Sequence, residues 1–136
     1  GGTPLRLYRE MIRMYQAGEL SFQDCTSFNL DEYVGLPPED ERSYHHYMRT
    51  HLFDQVDMDP DHIHLPNGCA GDLRQACRDY EQKIKESGGI DLQVLGIGAN
   101  GHIGFNEPTG SLASRTWVKI LSEQTMRDNA VYFDRP

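Results

Sequence analysis

The apolar residues Leu92, Val94, Leu95 and Ile97 lead into the run G-I-G-A-N-G-H-I-G-F-N-E-P at Gly96–Pro108, and this junction constrains the chain more than any other feature. A short, mostly apolar run of this kind fits a strand buried on both faces of a parallel sheet. In open α/β sheets ligands bind beyond the carboxyl ends of the strands, which places Asn100, His102 and Glu107 where chemistry is usually done. An imidazole in a glycine-rich turn is not expected to fill core, and imidazoles titrate near neutrality. Glu107, whose backbone is limited by the following Pro108, can turn back to hold or charge-balance His102, the arrangement that orients a catalytic base.

Gly96, Gly98 and Gly101 also satisfy the dinucleotide fingerprint G-x-G-x-x-G. That fingerprint needs a helix opening at its last glycine to meet a pyrophosphate, whereas Gly104, Asn106 and Pro108 break helix propagation. No nucleotide cofactor is expected. The glycines instead let the backbone turn sharply and approach a small ligand.

The rest of the chain alternates helices with short strands. Thr3 is expected to cap a helix with Pro4 in its first position, and Leu5, Tyr8, Met11, Ile12 and Tyr15 share one face until Gly18. A helix start preceded by Gly1, Gly2 and Thr3 is also a candidate anion site, because its unpaired N–H groups and dipole favour negative charge. Cys25–Leu30 reads as a strand ending in Asp31 and Glu32, and Gly35, Pro37 and Pro38 mark the turn after it. Ser43 caps a helix reaching about Asp54, with Tyr44, Tyr47, Met48 and Phe53 on its buried side. Ile63 and Leu65 suggest a brief strand, and Asp72 caps a helix that stops at Gly88 and Gly89. Asp91–Ile97 and Thr116–Leu121 are the third and fourth expected strands, and Ser122 opens a last helix. The fold class is therefore α/β, an open, mostly parallel Rossmann-like sheet with helices on both faces, incomplete in this chain.

With 136 residues, 38% of them hydrophobic, the chain supports a single domain with one modest core over 1–136. A net charge of −8, with only 13 basic residues and no cluster among them, argues against nucleic acid. No apolar run approaches the ~18 residues of a membrane span. The cysteines, Cys25, Cys69 and Cys77, are odd in number and unpaired in spacing, which suggests a reducing, cytoplasmic setting. The opening Gly1-Gly2-Thr3-Pro4 has no Met and the chain closes directly after an apparent helix, so both ends read as cut from a longer protein.

His62 and His64 present two possible ligands on one strand face, but no third or fourth donor accompanies them, and no metal is expected. Asp31 and Glu32 read either as solvated turn acids and caps or as reactive groups. A carboxylate at one strand end, with His and Glu at another, is what moving protons on a small substrate requires, and partial desolvation lifts such a carboxyl toward the range of a general base.

Four segments now identify a resemblance: G-G-T-P at Gly1–Pro4, S-F-N-L-D-E-Y-V-G-L-P at Ser27–Pro37, G-A-N-G-H-I-G-F-N-E-P at Gly98–Pro108 and S-L-A-S-R-T at Ser111–Thr116. In this order they resemble glucosamine-6-phosphate deaminase, also called glucosamine-6-phosphate isomerase. The resemblance implies conversion of glucosamine 6-phosphate and water to fructose 6-phosphate and ammonia without a redox cofactor. It implies that Asp31 takes the proton from C2 and passes it toward C1, that His102 moves the proton that opens the sugar ring, and that Asn100 and Glu107 support that step. Gly1, Gly2 and Thr3 would meet the phosphate, and the full-length protein could form a homo-oligomer.

Some members place Asp at the position of Asn100, and an amide orients an imidazole without sharing its charge. A phosphate-gripping Arg of characterised members aligns with Val131. Around the allosteric pocket of regulated relatives, Gly110, Trp117 and Ile120 replace polar or charged residues and Lys119 remains, so activation by N-acetylglucosamine 6-phosphate is not expected there. The alternatives are a 6-phosphogluconolactonase, which shares the architecture and a Gly-His loop, and a sugar-phosphate sensor without catalysis.

Overall fold

The computed structural model describes residues 2–108 and 113–130. Gly1, Gly110, Ser111 and Val131, named above, lie outside the described residues. The chain separates into two compact units, Gly1–Leu65 and Pro66–Pro136.

In the first unit, helix α1 (Leu5–Gln16) and helix α2 (Tyr44–His51) share a core of Ile12, Met48, Leu52 and Phe53. Tyr8, Met11 and Tyr47 pack on it, so the apolar stripe expected on α1 is the buried one. The start of α1 differs from expectation. Pro4, already helical in φ and ψ, is the cap residue and offers no side-chain hydrogen bond, and Thr3 lies in the turn before it. The Leu5 N–H donates to the Gly2 carbonyl at 3.3 Å, so backbone rather than the Thr3 hydroxyl satisfies it. Ser43 does cap α2, its hydroxyl accepting the His46 N–H at 3.0 Å.

Strands β1 (Ser27–Phe28) and β2 (Ile63–His64) pair in parallel, Ser27 opposite Ile63 and Phe28 opposite His64. The Phe28 and His64 rings meet with centroids 4.7 Å apart, which makes His64 a packing residue. Joining two parallel strands requires a crossover, and α2 lies in it.

In the second unit, helix α3 (Leu73–Glu86) starts at Asp72, whose carboxylate accepts the Gln75 N–H at 2.9 Å. It ends where the Gly88 and Gly89 N–H groups return to the Lys85 and Ile84 carbonyls, with Gly88 at φ +87°. Helix α4 (Glu123–Ala130) is opened by Ser122, which accepts the Thr125 N–H at 3.2 Å.

The two further strands are not formed among the described residues. Leu92 is 84% exposed, Ile97 76% and Ile120 88%. Among the described residues, 91–97 makes an isolated antiparallel bridge from Ile97 to Ile103. An apolar run becomes a strand only when a neighbour takes its backbone N–H and C=O groups. The segments carry the side-chain pattern of buried strands without the pairing that completes one. The fold class remains α/β, with a parallel pair as its sheet. No helix among the described residues is long and apolar enough to cross a membrane.

Candidate active site

The strand expected over Cys25–Leu30 forms only at Ser27–Phe28, so Asp31 and Glu32 lie in the loop after β1, and their surroundings differ. Glu32 is sealed in, with its side chain 1% exposed. Its carboxylate accepts the N–H groups of Tyr33 at 2.8 Å, Tyr44 at 3.0 Å and His45 at 3.0 Å, and meets His45 Nδ1 at 2.8 Å. Burial pushes its pKa up, but the His45 imidazole and the three backbone donors outweigh that and hold it below the usual carboxylate range. Glu32 thus closes the N-terminus of α2, where free N–H groups and the helix dipole favour an anion.

Asp31 is half-buried in the loop after β1. Tyr33 and Tyr44 stack beside it, with centroids 5.4 Å apart and planes inclined by 12°. The Tyr44 phenol is pushed up by burial first, then by Tyr33 and by the Asp31 and Glu32 carboxylates, so the Asp31 charge is felt at the Tyr44 hydroxyl. Gly2 and Thr3 are exposed in the turn before α1.

In the second unit the glycine-rich run folds into two tight turns. The Gly98 N–H donates to the His102 carbonyl at 2.8 Å, and the Gly101 N–H to the Gly98 carbonyl at 2.9 Å. Ile103 and Asn106 then exchange hydrogen bonds of 3.0 and 2.9 Å. Gly101 has φ +86°, a conformation that disfavours a side chain. No helix opens at this glycine, so the loop lacks the geometry of a dinucleotide turn.

These turns bring Asn100, His102 and Glu107 together. The Asn100 amide is oriented by two partners that each act in one sense only. His102 N–H donates to Asn100 Oδ1 at 3.2 Å, and Asn100 Nδ2 donates to Glu107 Oε2 at 3.4 Å. The same Oδ1 lies 2.6 Å from His102 Nδ1. An amide oxygen only accepts, so Nδ1 carries the proton and Nε2 presents its lone pair when the ring is neutral. The hydrogen-bonded link between Glu107 and His102 therefore runs through Asn100.

Two residues that the sequence reading missed hold Glu107. Thr125, 1% exposed, donates its hydroxyl to Glu107 Oε1 at 2.7 Å, and Ser122 contacts Thr125 at 3.0 Å. The Thr125 hydroxyl first, then Ser122, keep the Glu107 carboxyl below its usual range, and the nearby His102 adds to this. The available signal was the pairing of Ser122 with Thr125 at a helix start, which reads as capping until Glu107 is placed beside it. Gly98, expected to let the backbone turn and approach a ligand, has the His102 ring lying over it.

Residues 1–123 match the family described as glucosamine-6-phosphate isomerases/6-phosphogluconolactonase. The chain belongs to this family. A glucosamine-6-phosphate deaminase of Halothermothrix orenii is 52% identical over 136 residues, 100% of this chain and 56% of its own length. Glucosamine-6-phosphate deaminase 2 of Bacillus subtilis is 54% identical over 133 residues, 98% of this chain and 53% of its own length. The solved structure of a monomeric glucosamine-6-phosphate deaminase matches with a TM-score of 0.95 at 52% identity, covering 98% of this chain and 56% of that one. A 6-phosphogluconolactonase of Thermotoga maritima matches with a TM-score of 0.58 at 20% identity over 74% of this chain and 44% of that one, a likeness of fold alone. The resemblance carried by the four sequence segments thus holds at the level of the family. The chain spans about half the length of the curated relatives it matches.

Proposed function

We propose that the protein carrying this chain converts glucosamine 6-phosphate and water to fructose 6-phosphate and ammonia. The observation that supports the reading is the hydrogen-bonded chain from Glu107 through Asn100 to His102 Nδ1, and the reading gives the exchange of a proton with substrate to Nε2. In this reading His102 moves the proton between ring oxygen and O1 hydroxyl that opens the pyranose. Asp31 removes the C2 proton and returns it to C1, turning the open aldose into an enolamine and then a C2 imine. Water adds to that imine and ammonia leaves, so a C=N bond is replaced by C=O with no change in overall oxidation level. Gly1, Gly2 and Thr3 receive the phosphate at the start of α1, and the protein works in the cytoplasm.

The test uses the chain itself and a chimera in which residues 1–136 are flanked by the parts of the Halothermothrix orenii relative outside the match. Each is given glucosamine 6-phosphate, with ammonia and fructose 6-phosphate measured together, and separately 6-phosphogluconolactone. Equimolar ammonia and fructose 6-phosphate from the chimera supports the proposal. Lactone hydrolysis without ammonia, or glucosamine 6-phosphate binding without turnover, overturns it.

A further inference from the structure

The glycines of the catalytic loop are not equivalent. A Cβ built on Gly98 would stand 2.1 Å from His102 Cε1, 2.5 Å from Nδ1 and 2.6 Å from Nε2. Non-bonded heavy atoms pack at about 3.5–4.0 Å, so no side chain fits there while the ring stays in place. Gly96, two residues earlier, has open space where its Cβ would be, and at Gly101 the nearest atom would be Pro108 Cγ at 3.8 Å. Gly101 is required by its φ of +86°, whereas Gly98 has no positive φ and is required by the ring above it.

The contact cannot be relieved by moving the backbone of Gly98 alone. Its N–H is bonded to the His102 carbonyl at 2.8 Å and its carbonyl to the Gly101 N–H at 2.9 Å, so the same turn holds the floor and the residue above it. A further restraint on the ring is the 2.6 Å bond from Nδ1 to Asn100 Oδ1. A methyl group at 98 must therefore turn the imidazole out, and that breaks the bond that sets its tautomer.

We infer that Gly98 is a positioning residue, whose bare Cα forms the floor on which the His102 imidazole lies and so presents Nε2 to the sugar. This rests on the reading of His102 as a proton carrier, but it is tested without assuming that reading.

The chain is labelled with 15N and 13C and the His102 ring followed by NMR at a pH where it is neutral. In the unsubstituted chain an NOE is expected between the Gly98 Hα protons and the His102 ring, with Nδ1 protonated and Nε2 not. Absence of that NOE overturns the inference without recourse to any variant. Gly98→Ala is expected to lose the Nδ1-protonated signature, and Gly96→Ala to keep it. In the chimera, Gly98→Ala lowers kcat by about 10²-fold, as a displacement of about 1 Å does, and changes KM by less than about twofold. A Gly98→Ala chain that keeps the Nδ1-protonated ring, or a chimera that keeps its kcat, overturns the inference. If the NMR signature moves as expected while the unsubstituted chimera releases no ammonia, the proposed function fails and the role of Gly98 stands.

Discussion

Glu32 and Glu107 both sit at the start of a helix and are both held below the usual carboxylate range, yet they do different work. Glu32 faces α2 with its oxygens taken up by three backbone N–H groups and the His45 imidazole, and burial is the largest influence on it. Glu107 faces α4, with one oxygen on Thr125 and the other on the amide that reaches His102, and hydrogen bonding is the largest influence on it. A carboxylate whose oxygens all end on backbone N–H groups and one neighbouring imidazole is a structural closure. One that passes a hydrogen bond on toward a partly exposed imidazole is, in the proposed function, part of a proton relay. Asp31, its neighbour in sequence, is the acid of that pair to which the proposed function gives the substrate.

The largest effect that would break this comparison is on stability. Glu32→Gln removes a buried charge that His45 and three N–H groups are arranged to meet, and should cost about 3 kcal/mol in urea unfolding. The sign with pH follows from the lowered pKa: the contribution of Glu32 is present above the unfolded value of about 4.3 and is lost as pH falls through the folded one. Acid unfolding should therefore be less steep in Glu32→Gln. Equal destabilisation by Glu107→Gln would erase the distinction drawn between the two.

A smaller effect should appear in turnover. Thr125→Val keeps the side-chain shape, deletes the hydroxyl on Glu107 and should lower kcat of the chimera roughly tenfold, part of the about 10²–10⁴ that a positioned acid or base supplies. Thr125→Ser should restore most of it. A Val variant as active as the unsubstituted chimera would mean that Glu107 needs no anchor.

The smallest effect sharpens the role of the amide. Asn100→Asp adds a negative charge beside the imidazole, which favours the charged form of the ring relative to the unsubstituted chimera. The pH–kcat profile should move with it, and an unmoved profile would contradict the contact between Asn100 and His102.

Much of the frame was legible because it depends on local chemistry. Ser43, Asp72 and Ser122 are capping residues with short side chains that reach their own helix, and all three start helices. The turns at Gly98–Asn106 were legible for the same reason. Thr3 failed as a cap because a carbonyl two residues from Pro4 reached the helix N–H first. Residues 91–97 and 116–121 have strand composition, but pairing is a property of a neighbour, and composition does not report it. The sequence brought Asn100, His102 and Glu107 into one loop, while their order as a relay depended on which way an amide points. Thr125 was hidden because it acts from a distant helix, and the closeness of Gly98 to the His102 ring because it depends on the side chain that glycine lacks.

The most direct test of the account is Asp31→Asn in the chimera, with the binding of glucosamine 6-phosphate and its conversion measured on the same preparation. Asparagine keeps the shape of the residue but cannot accept the C2 proton, so kcat should fall by at least about 10³-fold while the dissociation constant changes by less than about threefold. Ammonia release at an undiminished rate would show that the acid following β1 is not the base, and the account would fail at its centre.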